Sequence, residues 1–147
     1  MEMIKNELIV MLNNALEMEH AARIQYLAHA ELIKGIEAEP IIARLKEIAS
    51  DEAKHEDKFR DLIANYLFGE PSMGIARTSK AKGTMEILEI NLTGEKESID
   101  FYKTIYKKVI ENKEGLPYIF ETLEHEIRHL IIEEQQHMAE LSVLLGK

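Results

Sequence analysis

The chain has 147 residues, of which 46% are hydrophobic and 31% charged, a composition typical of a folded domain and not of a disordered segment. Its 27 acidic and 18 basic residues give a net charge of -9, and the basic residues are spread along the chain, which argues against nucleic acid as a partner. Cysteine is absent, so disulfides, thiol nucleophiles and cysteine-bound metal clusters are excluded, and any metal must be bound by oxygen and nitrogen atoms.

The beginning of the chain does not resemble an export signal. The segment MEMIKNELIVML carries acidic residues early and lacks a basic stretch followed by a long apolar run. No part of the sequence approaches the roughly 18 consecutive apolar residues that a membrane span requires. We therefore expect a cytoplasmic protein without a membrane partner, folded as one domain over residues 1–147.

Proline and glycine residues divide the chain into four long segments. They concentrate at positions 35–40, 69–83, 115–117 and 146, and glycine just past a helix end or proline just inside a helix start is typical of such boundaries. Each segment is long enough for about seven or eight helical turns. The predicted helices are, in chain order, Lys5 to Lys34, Ile41 to Phe68, Thr84 to Asn112 and Tyr118 to Leu145.

The connections between these helices predict their arrangement. The first and third connections have about five residues, whereas the middle one, GEPSMGIARTSKAKG, has about fifteen. Short connections join antiparallel neighbours, so the first two helices form one hairpin and the last two form another. The sequence therefore predicts an all-α four-helix bundle of two antiparallel hairpins with a long crossover between helices 2 and 3.

Each predicted helix carries an apolar stripe at steps of three and four residues, interrupted near its middle by polar side chains. Glu19 and His55 each lie about 18 positions from the turn near residue 37, and Glu95 and Glu134 lie about 19 or 20 positions from the turn near residue 114. The interruptions should therefore meet at one level of the bundle. They comprise Glu19, Glu52, His55, Glu95, Glu134 and His137.

These six residues are typical metal ligands. A buried carboxylate without a partner is costly, and four of them repel one another. Glu52-Ala-Lys-His55 and Glu134-Gln-Gln-His137 each place a carboxylate and an imidazole on one helix face, about 5 to 6 Å apart. Two divalent ions would neutralise four carboxylates, and oxygen and nitrogen ligands suit iron(II) or manganese(II). We therefore expect a two-metal carboxylate centre.

Two alternatives to these ligands are less favourable. Glu126-Ile-Arg-His129 has the same spacing as the chosen pairs, but it belongs to a stripe that is polar throughout and lies two turns nearer the hairpin turn. Glu97 competes with Glu95, yet a step of two residues rotates a side chain by about 200° around the helix. That rotation takes Glu97 off the apolar stripe.

Tyr26 and Tyr102 are the candidate catalytic residues. Each follows a predicted ligand by seven residues, on the same helix face, where its hydroxyl could bond a carboxylate or a bound oxygen species. The alternative is that both are ordinary core aromatics.

The other polar residues near the centre have plainer interpretations. His20, His29 and His125 are expected at the surface or edge of the bundle. Asp51 and Glu133 could hydrogen-bond a ligand histidine across the bundle, although a solvated position is favoured for both.

These segments together resemble the ferritin-like di-iron carboxylate superfamily, especially its rubrerythrin-like and bacterioferritin-like members. The resemblance covers nearly the whole chain, including an internal repetition of the ligands at offsets of 76 and 82 residues. It rests on Glu19 with Tyr26, Glu52-x-x-His55, Glu95 with Tyr102, and Glu134-x-x-His137. It implies that Glu52 and Glu134 bridge the two metals, while Glu19 and Glu95 are terminal ligands and each metal has one histidine.

Several positions depart from the resembled families. Rubrerythrins typically carry a cysteine-rich rubredoxin module and a further glutamate where this chain has Ser98, and bacterioferritins carry a haem-ligating methionine where it has Ala53. We therefore expect no haem, an external electron-donor protein, and no rubrerythrin-style metal shift. The chain ends about ten residues after His137, without the fifth helix of cage-forming ferritins, which disfavours a storage shell.

The resemblance implies an oxidoreductase with two iron ions, with manganese or a mixed pair as alternatives. Its small oxidant would be hydrogen peroxide or O2, and rubrerythrin-like peroxide reduction is the preferred version. The second hypothesis is iron oxidation for storage or buffering. We expect a homodimer or a larger homo-oligomer.

Overall fold

The computed structural model describes residues 2–147 as four long helices, and the predicted all-α four-helix bundle is confirmed. The helices are α1 (Glu2–Ala30), α2 (Ala38–Asp61), α3 (Thr84–Glu111) and α4 (Phe120–Leu144). A π-helical turn, Leu62–Tyr66, continues α2, and a 3-10 turn, Lys113–Gly115, lies between α3 and α4. In the described part of the chain, none of the helices combines the length and the apolar character that a bilayer-crossing segment requires.

The two hairpins pack as their connection lengths predict. α1 packs along α2, α3 packs along α4, and the hairpins meet mainly through α1 and α3. Residues 67–83 form the crossover between them. The bundle therefore presents one inward face from each of the four helices.

With the π-helical turn counted as part of α2, most helix boundaries differ from the prediction by one to four residues; α1 and α2, for example, begin at Glu2 and Ala38 and not at Lys5 and Ile41. α1 ends at Ala30 and not at Lys34, because the chain already turns there: Ile33 is buried in the turn and Gly35 has a φ of 111°. α4 begins at Phe120, since Tyr118 has a φ of 72°, a left-handed conformation that cannot start a helix. At the end of α2, the π-helical turn replaces regular helix before Phe68.

The core consists of two apolar clusters at opposite ends of the bundle. One cluster contains Leu8, Leu12, Phe59, Leu62 and Ile127, among others. The other contains Ile33, Leu45, Ile48, Leu88 and Leu141, among others. Most buried polar side chains lie between these two clusters. Burial of the apolar side chains at both ends fixes the height of each helix, and this brings the polar side chains of the four helices to the same level.

The crossover lies against α1 through polar contacts. We call its residues 70–79 the strap. Asn13 on α1 donates from Nδ2 to the Glu70 carbonyl at 2.9 Å and accepts from the Ser72 amide at 2.7 Å. The Ala76 amide donates to the Glu17 carbonyl at 3.0 Å. A segment without helix or strand is thus fixed by hydrogen bonds to a rigid helix.

Candidate metal centre

The structure brings together all six side chains that the sequence predicts as ligands. They come from every helix of the bundle and lie between its two apolar clusters. Each is at most 2% exposed. They are Glu19 from α1, Glu52 and His55 from α2, Glu95 from α3, and Glu134 and His137 from α4.

The six residues form two overlapping groups of four. Both groups contain Glu52 and Glu134; one adds Glu19 and His55, and the other adds Glu95 and His137. Within each group, one candidate ligand atom per residue lies within 4.8 Å of all the others. A carboxylate that bridges two metal ions must lie within reach of both. Glu52 and Glu134 meet this requirement, because both belong to each group of four.

The Nδ1 atoms of the two imidazoles face the carboxylates of the centre without forming hydrogen bonds to them. His55 Nδ1 lies 3.2 Å from Glu52 Oε1 and 3.1 Å from Glu134 Oε1. His137 Nδ1 lies 3.4 Å from both of these oxygens. Nevertheless, Nδ1 of each histidine has no hydrogen-bond partner, because these atoms converge on common points and do not aim at one another.

The two imidazoles compensate only part of the negative charge of the four buried carboxylates. Burial, followed by repulsion from Glu134, raises the pKa of Glu52 and of Glu95 well above the usual value and also raises the pKa of Glu19. Burial also opposes ionisation of Glu134, but the neighbouring imidazoles of His137 and His55 lower its pKa. Burial would lower the pKa of His137, yet the adjacent carboxylates of Glu134 and Glu95 raise it to about 11.

A pair of divalent cations fits this site. Seven buried side-chain atoms in the described chain have no hydrogen-bond partner, and all seven belong to the six predicted ligands. Unpartnered buried polar atoms are rare in folded proteins. The donor set of carboxylate oxygens and imidazole nitrogens suits iron(II) or manganese(II), whose positive charge would offset the four carboxylates.

Each histidine binds a carboxylate of the opposite hairpin through its outer nitrogen. His137 Nε2 lies 3.0 Å from Asp51 Oδ2, and His55 Nε2 hydrogen-bonds to Glu133 Oε2. Both acids therefore make the hydrogen bond across the bundle that the sequence left open as the less favoured alternative, while their side chains stay 41% and 34% exposed. A proton on Nε2 leaves the Nδ1 lone pair pointing into the centre, which is how such partners orient a metal-binding histidine.

The two tyrosines bind the carboxylates of Glu95 and Glu19 across the bundle. Tyr26 donates from its hydroxyl to Glu95 Oε1 at 2.6 Å, and Tyr102 donates to Glu19 Oε1. Oε2 of both glutamates has no partner. Burial and the adjacent carboxylate raise the pKa of each tyrosine well above its usual value, so each stays a neutral hydrogen-bond donor.

The less favoured residues lie outside the centre. Glu97 is exposed, Glu126 forms an ion pair with Lys58 at 3.2 Å, and the side chain of His129 is 56% exposed. His125 is exposed and His20 is partly buried, as expected.

His29 and Glu56 differ from what the sequence suggested. His29 is 3% exposed, although a surface or edge position was expected, because the strap covers it. The sequence analysis also missed Glu56, which is buried beside the centre and paired with Arg23. The sequence offered two signals for this pair. Glu56 directly follows the predicted ligand His55, and Arg23 lies on a different predicted helix.

Comparisons with known proteins identify several similar chains. A family described as "Ferritin-like domain" matches residues 9–146. A crystal structure of ferritin-like, diiron-carboxylate proteins from Bacillus anthracis str. Ames is 27% identical, with 97% of each chain covered and a TM-score of 0.88. No curated protein sequence gives a significant match.

Two bacterioferritins have similar structures. The protein from Desulfovibrio desulfuricans, described with its diiron site in different catalytic states, is 25% identical over 99% of this chain and 81% of that chain, with a TM-score of 0.85. The protein from Rhodobacter capsulatus, described with a metal-free dinuclear site and haem iron, is 24% identical over 96% of this chain and 84% of that chain, with a TM-score of 0.82. The similarity to the Rhodobacter capsulatus protein supports the fold alone.

Proposed function

Because the chain belongs to the ferritin-like domain family, as its sequence predicted, we propose that it is a di-iron carboxylate oxidoreductase that reduces hydrogen peroxide or O2. The observation that carries this proposal is that all seven unpartnered buried polar atoms of the described chain belong to six side chains from four helices. The diiron-carboxylate protein of Bacillus anthracis, similar over 97% of the chain, supports iron as the metal.

In this proposal, Glu52 and Glu134 would be shared by the two ions, since both belong to each group of four. Glu19 with His55 would complete one position, and Glu95 with His137 would complete the other. When bound, two Fe(II) ions supply two electrons which, with two protons, convert one hydrogen peroxide molecule into two water molecules. An external electron-donor protein would then reduce the iron for a further cycle.

The other residues of the site orient these ligands. The Tyr26 and Tyr102 hydroxyls fix one oxygen of Glu95 and Glu19, so the second oxygen of each faces the centre. Asp51 and Glu133 fix the rings of His137 and His55. The apolar clusters above and below the polar level shield it from water at both ends of the bundle, which strengthens the electrostatic interactions inside.

Anaerobic loading tests the proposal directly. We expect two Fe(II) per chain to bind and one equivalent of hydrogen peroxide to oxidise both within the mixing time, measured by loss of chelator-detectable Fe(II). Faster reaction with peroxide than with O2, and repeated turnover with a reductant, would support the peroxidase version. An absence of turnover with every electron donor tried would exclude an enzyme, and elemental analysis of protein purified without added metal would distinguish iron from manganese.

Iron oxidation for storage is the second candidate function, and the likeness to the Desulfovibrio desulfuricans bacterioferritin favours it. Size-exclusion chromatography separates the two candidates, because a storage protein forms a large hollow shell, whereas the redox enzyme is expected as a dimer or small oligomer. Retention of far more than two iron ions per chain after aerobic loading would favour storage. Haem is left out of both candidates, since Ala53 follows the bridging Glu52.

A further inference from the structure

A cavity of about 310 Å³ lies between α1, α3 and the strap and reaches the candidate metal centre. Its inner end is lined by Tyr26, Glu52 and Glu95, and its outer end by Ala76 and Arg77 of the strap. A single water molecule needs roughly 10–15 Å³ of cavity, and hydrogen peroxide has only two heavy atoms. Sites for small organic ligands begin at about 300 Å³, so the cavity is much larger than the oxidant requires.

The cavity adjoins only one half of the centre. Glu95 borders it, whereas Glu19 and His55 are not among its lining residues. Tyr102 packs edge-on against Phe59, with ring centroids 5.4 Å apart, and both rings are buried. A molecule in the cavity would therefore lie beside the position formed by Glu95 and His137.

Small side chains keep the cavity open. Ala21 and Ala22 on α1 and Ser98 on α3 contribute to its lining. A Cβ added at Gly94 would meet no atom within 4 Å, so the space over this glycine is empty. Larger side chains at these positions would fill the volume beside Glu95.

The strap side of the cavity is fixed in place. Ser79 accepts at its carbonyl from His29 Nε2 at 3.0 Å and donates its amide to Gln25 Oε1 at 2.6 Å. Gln25 also donates to Asn91 Oδ1 at 2.9 Å, which connects the strap to α3. A wall held from both neighbouring helices indicates that the cavity exists before a ligand binds.

The guanidinium of Arg77 at the outer end of the cavity indicates which class of ligand could bind there. Arg77 is the single cationic side chain lining the cavity; it is exposed at the outer end and forms no ion pair with any residue of 2–147. A guanidinium binds a carboxylate through two parallel hydrogen bonds. At the inner end, two bound divalent ions would offset the carboxylates, whereas in their absence Glu52 and Glu95 would repel an anion. Glu97 also borders the cavity and is exposed like Arg77, so water screens both charges, and the preference for an acid rests on the paired hydrogen bonds that the guanidinium can donate.

We propose that this cavity binds a small organic acid, between butyrate and benzoate in size, whose carboxylate pairs with Arg77 and whose apolar body lies over Gly94 beside the Glu95 half of the centre. The inference rests on the proposed function, because it requires metal ions at the inner end. It concerns binding alone and assigns no reaction to the acid.

Zinc-loaded protein tests the proposal without redox chemistry. Butyrate and benzoate would be titrated against butyramide and benzamide, with the backbone amide signals of Ala22 and Gly94 followed by nuclear magnetic resonance. We expect saturable shifts at both residues, with each acid bound at least about tenfold more tightly than its amide, and much weaker acid binding to the metal-free protein.

Two variants and two matched controls complete the test. Arg77→Gln should remove the preference for acids, and Gly94→Leu should abolish binding. Lys103→Gln and Lys103→Leu, at an exposed position of α3 outside the cavity, should bind as the unchanged chain does. Zinc stoichiometry and a melting curve for every variant separate lost binding from lost folding.

The outcomes distinguish failure of the inference from failure of the proposed function. Two bound zinc ions without saturable acid binding, or equal binding in Gly94→Leu and the unchanged chain, would overturn the inference and leave the metal centre standing. No zinc binding would overturn both. Equal affinity for acids and amides in the unchanged chain would overturn the role of Arg77 and hence the assigned ligand class.

Discussion

The hydroxyl of Tyr26 donates a 2.6 Å hydrogen bond to Glu95, a residue 69 positions later in the chain. The equivalent bond joins Tyr102 to Glu19 in the opposite direction. Each hairpin therefore supplies the tyrosine that orients the terminal carboxylate of the other hairpin. The centre forms only when both hairpins are docked at the correct height.

Glu52→Gln and Glu134→Gln test the shared carboxylates. Each change removes a proposed bridging ligand while keeping the volume of the side chain, so we expect bound metal to fall well below two ions per chain by equilibrium dialysis and elemental analysis. Glu126→Gln, which changes the rejected Glu-x-x-His pair, should keep both ions. If both bridging variants retain two tightly bound ions, the ligand assignment is wrong.

The metal-free form of Glu52→Gln should unfold at a higher temperature than the unchanged metal-free chain. Glu52 Oε1 is buried without a partner, and an unsatisfied buried polar group costs about 1–3 kcal/mol. An amide cannot ionise, so it avoids the burial cost and the repulsion from Glu134 that raise the pKa of Glu52, and part of the cost should be recovered, as measured by calorimetry after chelation. A lower melting temperature would show that the carboxylate stabilises the metal-free fold.

Sequence periodicity was sufficient to predict the four helices and the common level of the six polar side chains. Spacings of three and four residues determine which side chains share a helix face, and distances from the hairpin turns determine their height. Periodicity offered the contacts of Asp51 and Glu133 only as the less favoured alternative, because they depend on how one hairpin packs against the other. Burial of His29 likewise depends on the path of the strap, which has no repeating pattern.

Asp51→Ala should weaken metal binding without removing a ligand. The Asp51 carboxylate lies 3.0 Å from His137 Nε2, and loss of such a partner typically lowers metal affinity about 10–100-fold. Competition with a calibrated chelator measures the change, and Asp100→Ala, at an exposed position of α3, is the matched control. Unchanged affinity in Asp51→Ala would show that packing alone holds the His137 ring.

Tyr26→Phe and Tyr102→Phe should separate a positioning role from simple packing. Each change removes one hydroxyl from a buried hydrogen bond, so we expect a loss of about 1 kcal/mol in unfolding free energy together with slower single-turnover oxidation of bound Fe(II) by peroxide. Tyr106→Phe removes a tyrosine hydroxyl that bonds Glu124 outside the centre and should leave the oxidation rate unchanged. Equal rates in all three variants would identify Tyr26 and Tyr102 as core aromatics only.

The contribution of His29 to stability should fall as the pH drops below about 6.5, the usual pKa of an unfolded histidine. Burial lowers the pKa of His29 in the folded chain, where the ring accepts from Asn91 Nδ2 at 2.9 Å and donates to the Ser79 carbonyl. No acidic side chain within residues 2–147 forms an ion pair with it that could stabilise the charged ring. The unfolded chain therefore binds more protons than the folded chain as the pH falls through this range, and the contribution of His29 to stability, which is fully present above pH 6.5, is progressively lost.

The comparison of His29→Gln with the unchanged chain isolates this contribution from the other titrating groups. We expect the stability difference between the two proteins, measured by urea unfolding of metal-free samples, to be largest near pH 8 and to shrink toward pH 5. The control His125→Gln removes an exposed imidazole and should give a difference that does not change with pH. A His29→Gln difference that stays constant from pH 8 to pH 5 would show that the neutral ring does not fix the strap.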